Sequence, residues 1–234
     1  AGACRVGFAG GHFIAEHNGR QLDWPGSASL AQGDMLAITP GKWGNYGYLR
    51  FDGDLDIPPV LGSVATNSRV ALGGLAGRSL RAGDSLKLVG KGSAATFAVE
   101  MVGPDQSPIR VIWGLHADLF PQALREHFVE SSFTISTRLD RMGVRLEDPY
   151  GVFNGASILS LVSDAIVPGD IQILGDGTPI VLMRDHQPTG GYPRIATVIT
   201  ADLDRFAQLR PGATVAFRPV TVEHAHALLR SRWT

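Results

Sequence analysis

The fold is decided by the stretch 169–203, which reads GDIQILGDGTPIVLMRDHQPTGGYPRIATVITADL. A glycine turn leads into alternating residues at Asp170–Ile173, and two apolar runs follow at Pro179–Met183 and Ile195–Ile199. Short apolar runs between turn residues are typical of β-strands with a buried face. The stretch therefore predicts a β-rich domain in which one long polar segment, Arg184–Arg194, separates two buried strands.

The turn followed by a period-two strand recurs along the chain. It is found at Gln32–Ile38, Ala82–Leu88 and Pro168–Ile173, with a looser copy at Pro211–Phe217. Each copy couples a glycine turn to a strand with one buried face. Two interpretations stay open: ordinary Gly-Asp turns of an all-β protein, or two related barrels with one pair of copies in each half.

Further strands and a few short helices complete the expected pattern. The other predicted strands are Gly47–Phe51, Ala95–Val102, Ile109–Trp113 and Phe133–Ser136. The predicted helices are Asp118–Phe128 with Asp118 as N-cap, Asp202–Leu209, and Val222–Arg230 with Thr221 as its cap. We therefore expect a mainly β protein with few helices.

A polar segment with two prolines, Gly103–Pro108, is the predicted boundary between two halves. Residues 1–103 are then an N-terminal β-subdomain, and residues 104–234 form a C-terminal β-barrel subdomain.

The composition excludes several classes of protein. The chain has 234 residues, 44% hydrophobic and 18% charged, with a formal net charge of -1. Such a balance is globular, and it provides no basic surface for nucleic acid or an anionic membrane. No apolar run approaches the roughly 20 residues needed to span a bilayer. A single cysteine, Cys4, excludes an internal disulfide and favours the reducing cytoplasm.

Familiar catalytic motifs are absent from the sequence. It contains no GxxxxGK[ST] phosphate loop, no GxSxG nucleophile elbow and no HExxH metal motif. His224 and His226 lie two residues apart on a predicted helix and so face different directions, which makes a poor metal pair. His116 and Asp118 are either a catalytic pair or a loop residue and a helix cap, and the cap signature favours the second interpretation. We therefore predict no metal site in this chain.

The polar segment Arg184–Arg194 is the strongest candidate for a functional site. Four polar residues, Arg184 to Gln187, leave the end of a predicted strand together. Gly190 and Gly191 allow close approach of a ligand to the backbone, and Tyr192 adds a ring and a hydroxyl group. A plain hairpin loop between the two apolar runs is the alternative, but a structural turn does not require so many donors and acceptors.

A second candidate is Thr137–Leu146, which contains three arginines and Asp140. If this segment is extended, Arg141 and Arg145 share one face and form a clamp for a carboxylate or phosphate. A solvated β-edge with an Asp–Arg pair, worth about 1 kcal/mol or less, is an equal alternative.

A third candidate combines Leu61–Arg69 with Gly73–Arg78, in which Ser63 and Arg78 suit an anion-binding loop. An ordered surface loop explains the same residues equally well. Gln172 and Gln208 are amides in strongly patterned contexts, where they bind a ligand or satisfy buried backbone groups.

These segments together resemble a known family. The block GDIQ…PIVLMRD…TGGYP, the segments Asp140–Leu146, Leu61–Ser63 and Gly73–Arg78, and the run Ala207–Gly212 are similar to the KipA family. This family is also called the PxpC family, after a subunit of 5-oxoprolinase, or the allophanate hydrolase subunit 2 family of biotin-dependent carboxyltransferase domains. The resemblance covers nearly the whole chain.

The resemblance implies two cyclophilin-like β-barrel subdomains and a KipI-type partner protein. One branch of the family hydrolyses 5-oxoproline to glutamate with ATP, together with a LamB/YcsF-type subunit. Another branch transfers a carboxyl group from carboxybiotin to urea, beside a biotin carboxylase. A third role implied by the family is regulatory binding of KipI. We expect the 5-oxoprolinase role, with ATP used at the level of the complex and no activity in the chain alone.

The resemblance also shows departures. The family begins with a further segment carrying a GRxG-like motif, which we expect to be missing here, and its Ser-Arg-Ser-Thr loop is replaced by Ser63–Thr66 (SVAT). The chain has neither a Met-Lys-Met biotinyl site nor the Gly-Gly-Ser-Ser signature of amidases. The predicted catalytic residues are Arg141, Arg145, Asp185 and Tyr192. The predicted substrate-binding residues are Gln172, Gln187, Thr189, Gly190, Gly191, Ser63 and Arg78.

Overall fold

Two compact units make up the chain, which a computed structural model describes over residues 2–90, 103–155 and 161–231. Unit 1 comprises Ala1–Lys42 and Tyr46–Val102, and unit 2 comprises Trp43–Asn45 and Gly103–Thr234. The short segment Trp43–Asn45 thus belongs to unit 2 although most of the preceding and following chain belongs to unit 1.

Unit 1 is built from short antiparallel strands. Their bounds are β1 (Cys4–Gly10), β2 (Phe13–His17), β3 (Arg20–Leu22), β4 (Gly26–Leu30), β5 (Leu36–Pro40), β6 (Gly47–Phe51), β7 (Asp54–Leu55) and β8 (Leu88–Val89). They form the sheets β4-β1-β6 and β3-β2-β5 and the ribbon β7-β8. Val6, Phe8 and Ala15 are the buried core of this unit, and the Phe8 ring stacks on Trp24 with centroids 5.2 Å apart. The single turn α1 (Gly74–Gly77) contains Leu75 and Ala76 in the left-handed region.

Unit 2 contains a closed seven-stranded barrel in the order β10-β11-β14-β13-β16-β9-β17. The strand bounds are β9 (Ile109–Trp113), β10 (Ser132–Leu139), β11 (Gly143–Glu147), β12 (Asp164–Ala165), β13 (Asp170–Ile173), β14 (Pro179–Leu182), β15 (Thr189–Gly190), β16 (Arg194–Val198) and β17 (Thr214–Pro219). The helices are a 3-10 turn (Ala117–Leu119), α2 (Gln122–Glu130), α3 (Thr200–Ala207) and α4 (Val222–Ser231). β12 and β15 pair with each other outside the barrel.

Aromatic side chains fill the interior of the barrel. Phe128 of α2 stacks on Phe217 of β17 with ring centroids 5.2 Å apart, and Phe133 and Phe153 pack beside them. Phe128 and Phe133 are fully buried. Each large apolar side chain removed from water contributes about 1.5–3 kcal/mol, so this cluster and the aliphatic residues around it stabilise the closed barrel.

The predicted fold class, mainly β with few short helices, is confirmed, and most of the predicted strands are found. Those at Gly47–Phe51 and Ile109–Trp113 have the predicted bounds, and those at 133–136, 179–183 and 195–199 overlap β10, β14 and β16. The predicted strand Ala95–Val102 lies outside the described residues. In the copy at Ala82–Leu88 only Leu88 belongs to a strand, because Arg81 and Asp84 form a tight turn.

The helix predicted from Asp118 begins later, at Gln122, with Pro121 at the N-cap position. Asp118 is therefore not a cap: it lies in the 3-10 turn, and its carboxylate accepts a hydrogen bond from Arg125 at 3.0 Å. A proline favours the start of a helix because its fixed φ suits the first turn, so Pro121 moved the start. The predicted cap of α4 is confirmed, since the His224 N–H donates to Thr221 Oγ1 at 3.2 Å. None of the helices in the described ranges has the length and hydropathy that a bilayer crossing requires.

A buried carboxylate ties helix α3 to strand β9. Asp202 is 2% exposed and accepts hydrogen bonds from Arg110 N at 2.8 Å, Arg110 Nε at 2.9 Å and Arg205 Nη2 at 3.0 Å. Burial alone raises the pKa of the Asp202 carboxyl, but the hydrogen bonds from the arginines outweigh it and hold the pKa below its usual range. Asp202 is thus a charged group fully enclosed by donors.

We expect Asp202→Ala to lower the free energy of unfolding by about 3–5 kcal/mol, because it leaves the Arg110 donors without their acceptor in a buried place. Urea unfolding measures the change. Asp118→Ala is the matched control: its partner Arg125 is 28% exposed, as Arg110 is 29% exposed, but Asp118 itself is 98% exposed. The control should lose about 1 kcal/mol or less. Equal losses in the two variants would contradict the role of burial.

Candidate functional site

The segment Arg184–Arg194 connects two strands that are not neighbours. β14 and β16 lie on either side of β13 in the barrel, so the segment passes from one side of β13 to the other. The hairpin interpretation is therefore wrong. Within the segment, β15 pairs with β12 through Asp164–Gly190 and Ala165–Thr189. This segment, which we call the crossing loop, thus lies with β12 against the outside of the barrel.

Strand β13 carries opposite chemistry on its two faces. Ile171 and Ile173 belong to the barrel core, and because successive side chains of a strand alternate, Asp170 and Gln172 face outwards. All four residues are nevertheless buried. The outward face of β13 is therefore covered, and its polar side chains must find their partners beneath that cover.

Arg194, at the end of the crossing loop, is the centre of a buried polar cluster. Its side chain is 8% exposed, and it donates to Asp164 Oδ2 at 2.8 Å and to the Ala165 carbonyl oxygen at 2.6 Å. It also lies 3.5 Å from Asp170 Oδ2. Asp170 Oδ1 in turn accepts the Thr197 hydroxyl at 2.7 Å. Arg194 thus joins the barrel strands β13 and β16 to the outer strand β12.

His116 completes this cluster from the chain after β9. Its Nδ1 accepts the backbone N–H of Arg194 at 3.3 Å and lies 3.5 Å from Arg194 Nε. Burial lowers the pKa of His116, and the nearby positive charge of Arg194 lowers it further. The imidazole is consequently neutral at neutral pH, with Nδ1 as an acceptor. His116 is more than the plain loop residue that its sequence context indicated.

Gln172 is the one member of this outward face whose amide nitrogen has no partner. The side chain is 1% exposed, and Nε2 has no hydrogen-bond partner in the part of the chain that the structure describes. A buried polar group left unsatisfied costs about 1–3 kcal/mol. Gly190 lies directly above: a Cβ built there would be 2.6 Å from Gln172 Nε2. Glycine is therefore required at 190 for close packing, not for an unusual backbone angle.

Arg141 and Asp185 form a bidentate ion pair at the start of the crossing loop. Arg141 Nε lies 2.9 Å from Asp185 Oδ2, Nη2 donates to Oδ1 at 2.9 Å, and the Asp185 N–H donates to the Arg141 carbonyl at 2.7 Å. Two parallel hydrogen bonds fix the geometry of such a pair. The structure therefore brings these two predicted catalytic residues together.

The extended conformation considered for Thr137–Leu146 is wrong, because a turn interrupts it. β10 ends at Leu139 and β11 begins at Gly143, and Asp140 Oδ1 accepts the N–H of Met142 at 2.8 Å and of Gly143 at 3.2 Å. An aspartate that satisfies its own turn in this way is a common turn residue. Arg141 consequently lies in the turn and Arg145 in β11, so the two arginines do not share one extended face.

The other predicted residues of unit 2 lie at or near the crossing loop. Arg145 is half-buried in β11 opposite Ile180, and its guanidinium has no hydrogen bond or ion pair within the described residues. Tyr192 is 40% exposed, and Gln187 and Thr189 are exposed. Gly191 accepts the Leu161 N–H through its carbonyl at 2.6 Å. These groups leave several donors and acceptors open to solvent.

Ser63 and Arg78 belong to unit 1. Arg78 donates to Asp84 through both terminal nitrogens, at 2.8 Å and 2.7 Å, and this pair raises the pKa of Arg78 and lowers that of Asp84. Ser63 is exposed, and its Oγ accepts the Ala65 N–H at 3.1 Å. In this conformation Arg78 is committed to a carboxylate of its own loop.

Arg184 lines a cavity of about 260 Å³ in unit 2. Apolar residues form most of its walls, and His226 of α4 also lines it. Among the described residues, no group of three or more His, Cys, Asp or Glu side chains is placed to hold a metal ion.

The sequence analysis missed the residues that anchor the crossing loop. These are His116 as an acceptor, Asp164, Asp170, Thr197 and the guanidinium of Arg194. One signal was present in the sequence: the alternation of Asp170, Ile171, Gln172 and Ile173 places two polar residues on one face of a strand. Asp164 had no comparable signal, because its pairing with Arg194 depends on the path of the loop.

Comparisons with known proteins agree with this architecture. A family model described as "Carboxyltransferase domain, subdomain A and B" matches residues 1–219. The chain is 35% identical to the PxpC subunit of 5-oxoprolinase from Escherichia coli, over 84% of this chain and 63% of that protein. It is 34% identical to the corresponding 5-oxoprolinase subunit of Haemophilus influenzae, over 85% of this chain and 63% of that protein.

A solved structure gives the same result. The crystal structure of Kluyveromyces lactis urea carboxylase matches 99% of this chain and 22% of its own chain, with a TM-score of 0.86 and 26% identity. The resemblance found in the sequence is thereby confirmed. The chain spans about 63% of the length of the two bacterial relatives.

The neutral state of His116 predicts a pH dependence of stability. Its pKa is lowered in the folded protein from 6.5, so below that pH the unfolded chain binds a proton that the folded chain does not. Stability is then lost as the pH falls from 6.5 towards the folded pKa. We expect the melting temperature to fall less between about pH 7 and pH 5 in His116→Asn, whose side-chain oxygen keeps an acceptor near Nδ1. Parallel curves for the two proteins would contradict this assignment.

Proposed function

Because the chain belongs to the family of carboxyltransferase domains with subdomains A and B, we propose that it is a non-autonomous subunit of an ATP-dependent 5-oxoprolinase. Such an enzyme converts 5-oxoproline to glutamate. The observation that carries the proposal is the 35% identity with the PxpC subunit of 5-oxoprolinase over 200 residues. The proposed partner is a KipI-type protein, with a LamB/YcsF-type subunit in the same complex.

The geometry of unit 2 supports a role in binding a small carboxylate with a reactive carbonyl group. Arg145 has an uncommitted guanidinium within the described residues, and arginine is suited to carboxylates. Arg141, held by Asp185, presents a positive charge in a fixed orientation. In the proposed site these arginines neutralise developing negative charge, while Tyr192 supplies a hydroxyl group.

The substrate-binding groups are proposed to come from the crossing loop and its neighbour β13. Gln187 and Thr189 offer exposed amide and hydroxyl groups, and Gly190 and Gly191 offer backbone close to the ligand. Gln172 lies beneath them. Ser63 and Arg78 remain predicted contributors from unit 1, and Arg78 would have to exchange Asp84 for a ligand to take part.

The chain carries no phosphate loop with the GxxxxGK[ST] pattern. ATP is therefore proposed to act at the level of the complex, bound with the help of the partner subunits. For the same reason we propose that the chain alone has no hydrolase activity. The single cysteine supports the proposal that the complex works in the reducing cytoplasm.

Carboxyl transfer from carboxybiotin is the second candidate function. It is favoured by the family description and by the match of 99% of this chain to a urea carboxylase. In that case a biotin carboxylase and a biotin-carrying subunit would replace the LamB/YcsF-type subunit, and the same loop would hold the ureido ring and the acceptor.

Reconstitution tests the subunit role. We expect no conversion of 5-oxoproline to glutamate by the purified chain with ATP, and conversion when the KipI-type and LamB/YcsF-type subunits are added. Glutamate formation is measured with the subunits alone and together. Turnover by the chain by itself would contradict the proposal, and carboxylation of urea with a biotin carboxylase would favour the second function.

In the reconstituted complex we expect Arg145→Ala to lower kcat/KM roughly 10²- to 10³-fold, the usual loss when one charge-stabilising donor is removed. Arg218→Ala is the matched control, because Arg218 is an exposed arginine on another barrel strand, β17. Size-exclusion chromatography checks that both variants still assemble. Full activity of Arg145→Ala would remove this arginine from the site.

A further inference from the structure

The buried amide of Gln172 is the most unusual polar group in unit 2. The side chain is 1% exposed, yet Nε2 has no hydrogen-bond partner in the described residues. Its neighbours on the same outward face do not share this property: Asp170 accepts from Thr197 and Val167, and Arg194 donates to Asp164 and Ala165. Native proteins satisfy nearly all buried polar atoms, so an exception needs an explanation.

A purely structural role does not explain Gln172. The chain offers a comparison in Gln208, whose Oε1 accepts the backbone N–H of Asn45 at 2.8 Å within unit 2. Gln208 therefore stabilises the fold through its amide. At position 172 an apolar side chain of the same length would fill the space without an unsatisfied donor, and the fold would be more stable.

The surroundings of Gln172 are prepared for close approach by another planar group. Gly190 has no side chain above the amide, and a Cβ there would be 2.6 Å from Nε2 and 3.1 Å from Ile166 Cδ1. Gly191 is packed just as closely, since a Cβ there would be 2.8 Å from the Leu161 carbonyl oxygen. The backbone over Gln172 is thus bare, with an apolar wall from Ile166 beside it.

The carboxamide of glutamine has one chemical complement that uses both its donor and its acceptor at once. Nε2–H donates and Oε1 accepts side by side, and the matching group presents a C=O and an N–H on the same edge. Ordinary trans amides place these groups on opposite sides. Lactams and cyclic ureas hold them on one side, and urea itself can also present them together.

We propose that Gln172 binds the cis N–C=O unit of the substrate, a five-membered lactam or a ureido group, through a pair of hydrogen bonds. The inference rests on the proposed function, because both candidate reactions use this unit: 5-oxoproline is a lactam, and urea and the biotin ring are ureas. One binding group then serves both branches of the family. Nε2 donates to the substrate carbonyl oxygen and Oε1 accepts the substrate N–H.

Binding requires the cover over Gln172 to separate from β13. The cover consists of β12 and β15, which pair through only two residue pairs, Asp164–Gly190 and Ala165–Thr189. The hydrogen bond from Leu161 N to the Gly191 carbonyl and the bond from Arg194 to Asp164 also hold it. Movement of β15 away from β13 opens the amide to a ligand while the barrel strands keep their pairing.

Matched small probes test the recognition of the cis N–C=O unit by the full chain. The lactam probe is 5-oxoproline, with cyclopentanecarboxylate as the control that keeps the ring and the carboxylate. The cyclic urea probe is 2-imidazolidinone, with cyclopentanone as its control, and N-methylacetamide represents a trans amide. Calorimetry gives the affinities, and the NMR signal of the Gln172 side-chain NH₂ reports its hydrogen bond. We expect at least tenfold tighter binding of a cis probe than of its control, with a downfield shift of that signal.

The result with the probes also distinguishes the two sources of the group. Preference for 5-oxoproline indicates the lactam, and preference for 2-imidazolidinone or urea indicates the ureido group; either supports the role of Gln172. No binding of any cis probe, or equal binding of the controls, overturns it.

Two substitutions separate binding from folding. Gln172→Met should weaken binding of the preferred cis probe at least tenfold and leave the melting temperature equal or higher. Gln208→Met should lower the melting temperature and leave the affinity unchanged. Unchanged affinity in Gln172→Met, or a loss of stability in it like that of Gln208→Met, would show that Gln172 is a structural residue.

The reconstituted complex keeps this inference separate from the proposed function. If the complex hydrolyses 5-oxoproline and Gln172→Met remains fully active, the inference fails and the function stands. If the chain binds a cis probe through Gln172 but the complex does not hydrolyse 5-oxoproline, the function fails and the inference stands.

Discussion

Arg194 is buried against the outside of the barrel, and a buried guanidinium is stable only when its donors meet carboxylates or carbonyl oxygens. Here the partners come from three parts of the chain: Asp170 from the barrel strand β13, Asp164 and Ala165 from the outer strand β12, and His116 from the segment after β9. The crossing loop is thus placed by one charge whose partners must all be present. Removal of a single partner would leave the charge exposed to an unfavourable environment rather than merely loosen the loop.

This arrangement changes what the barrel wall can do. A barrel strand usually has one buried face and one face in water, whereas β13 is buried on both. Its inward side chains are apolar and pack in the core, while its outward side chains are polar and lie beneath β12 and β15. A covered polar face excludes water, and electrostatic interactions are stronger where water is excluded. The covered face therefore suits recognition of a small polar molecule better than an open surface would.

The sequence predicted the fold where the pattern was local and the site only in part. Short apolar runs between turns, such as Ile109–Trp113, gave correct strands because alternation and turn chemistry act over a few residues. The start of α2 was wrong because Pro121 outweighed Asp118 as a start signal. The ion pair of Arg141 with Asp185 joins residues 44 positions apart, and no local pattern specifies such a contact. The same holds for Arg194 and Asp164, whose pairing depends on β14 and β16 flanking β13.

Gln172 and Gly190 show how a cost in stability can identify a function. A glycine in a strand gives up side-chain packing, and a buried amide without a partner loses its hydrogen bonds to water. The two costs fall on residues that face each other, Gln172 on β13 and Gly190 on β15. Alanine at 190 and an apolar residue at 172 would remove both costs and still suit a closed cover. A pair that is unfavourable in the closed state is favourable only if another state supplies what is missing, and for a carboxamide that is a group with a donor and an acceptor on one edge.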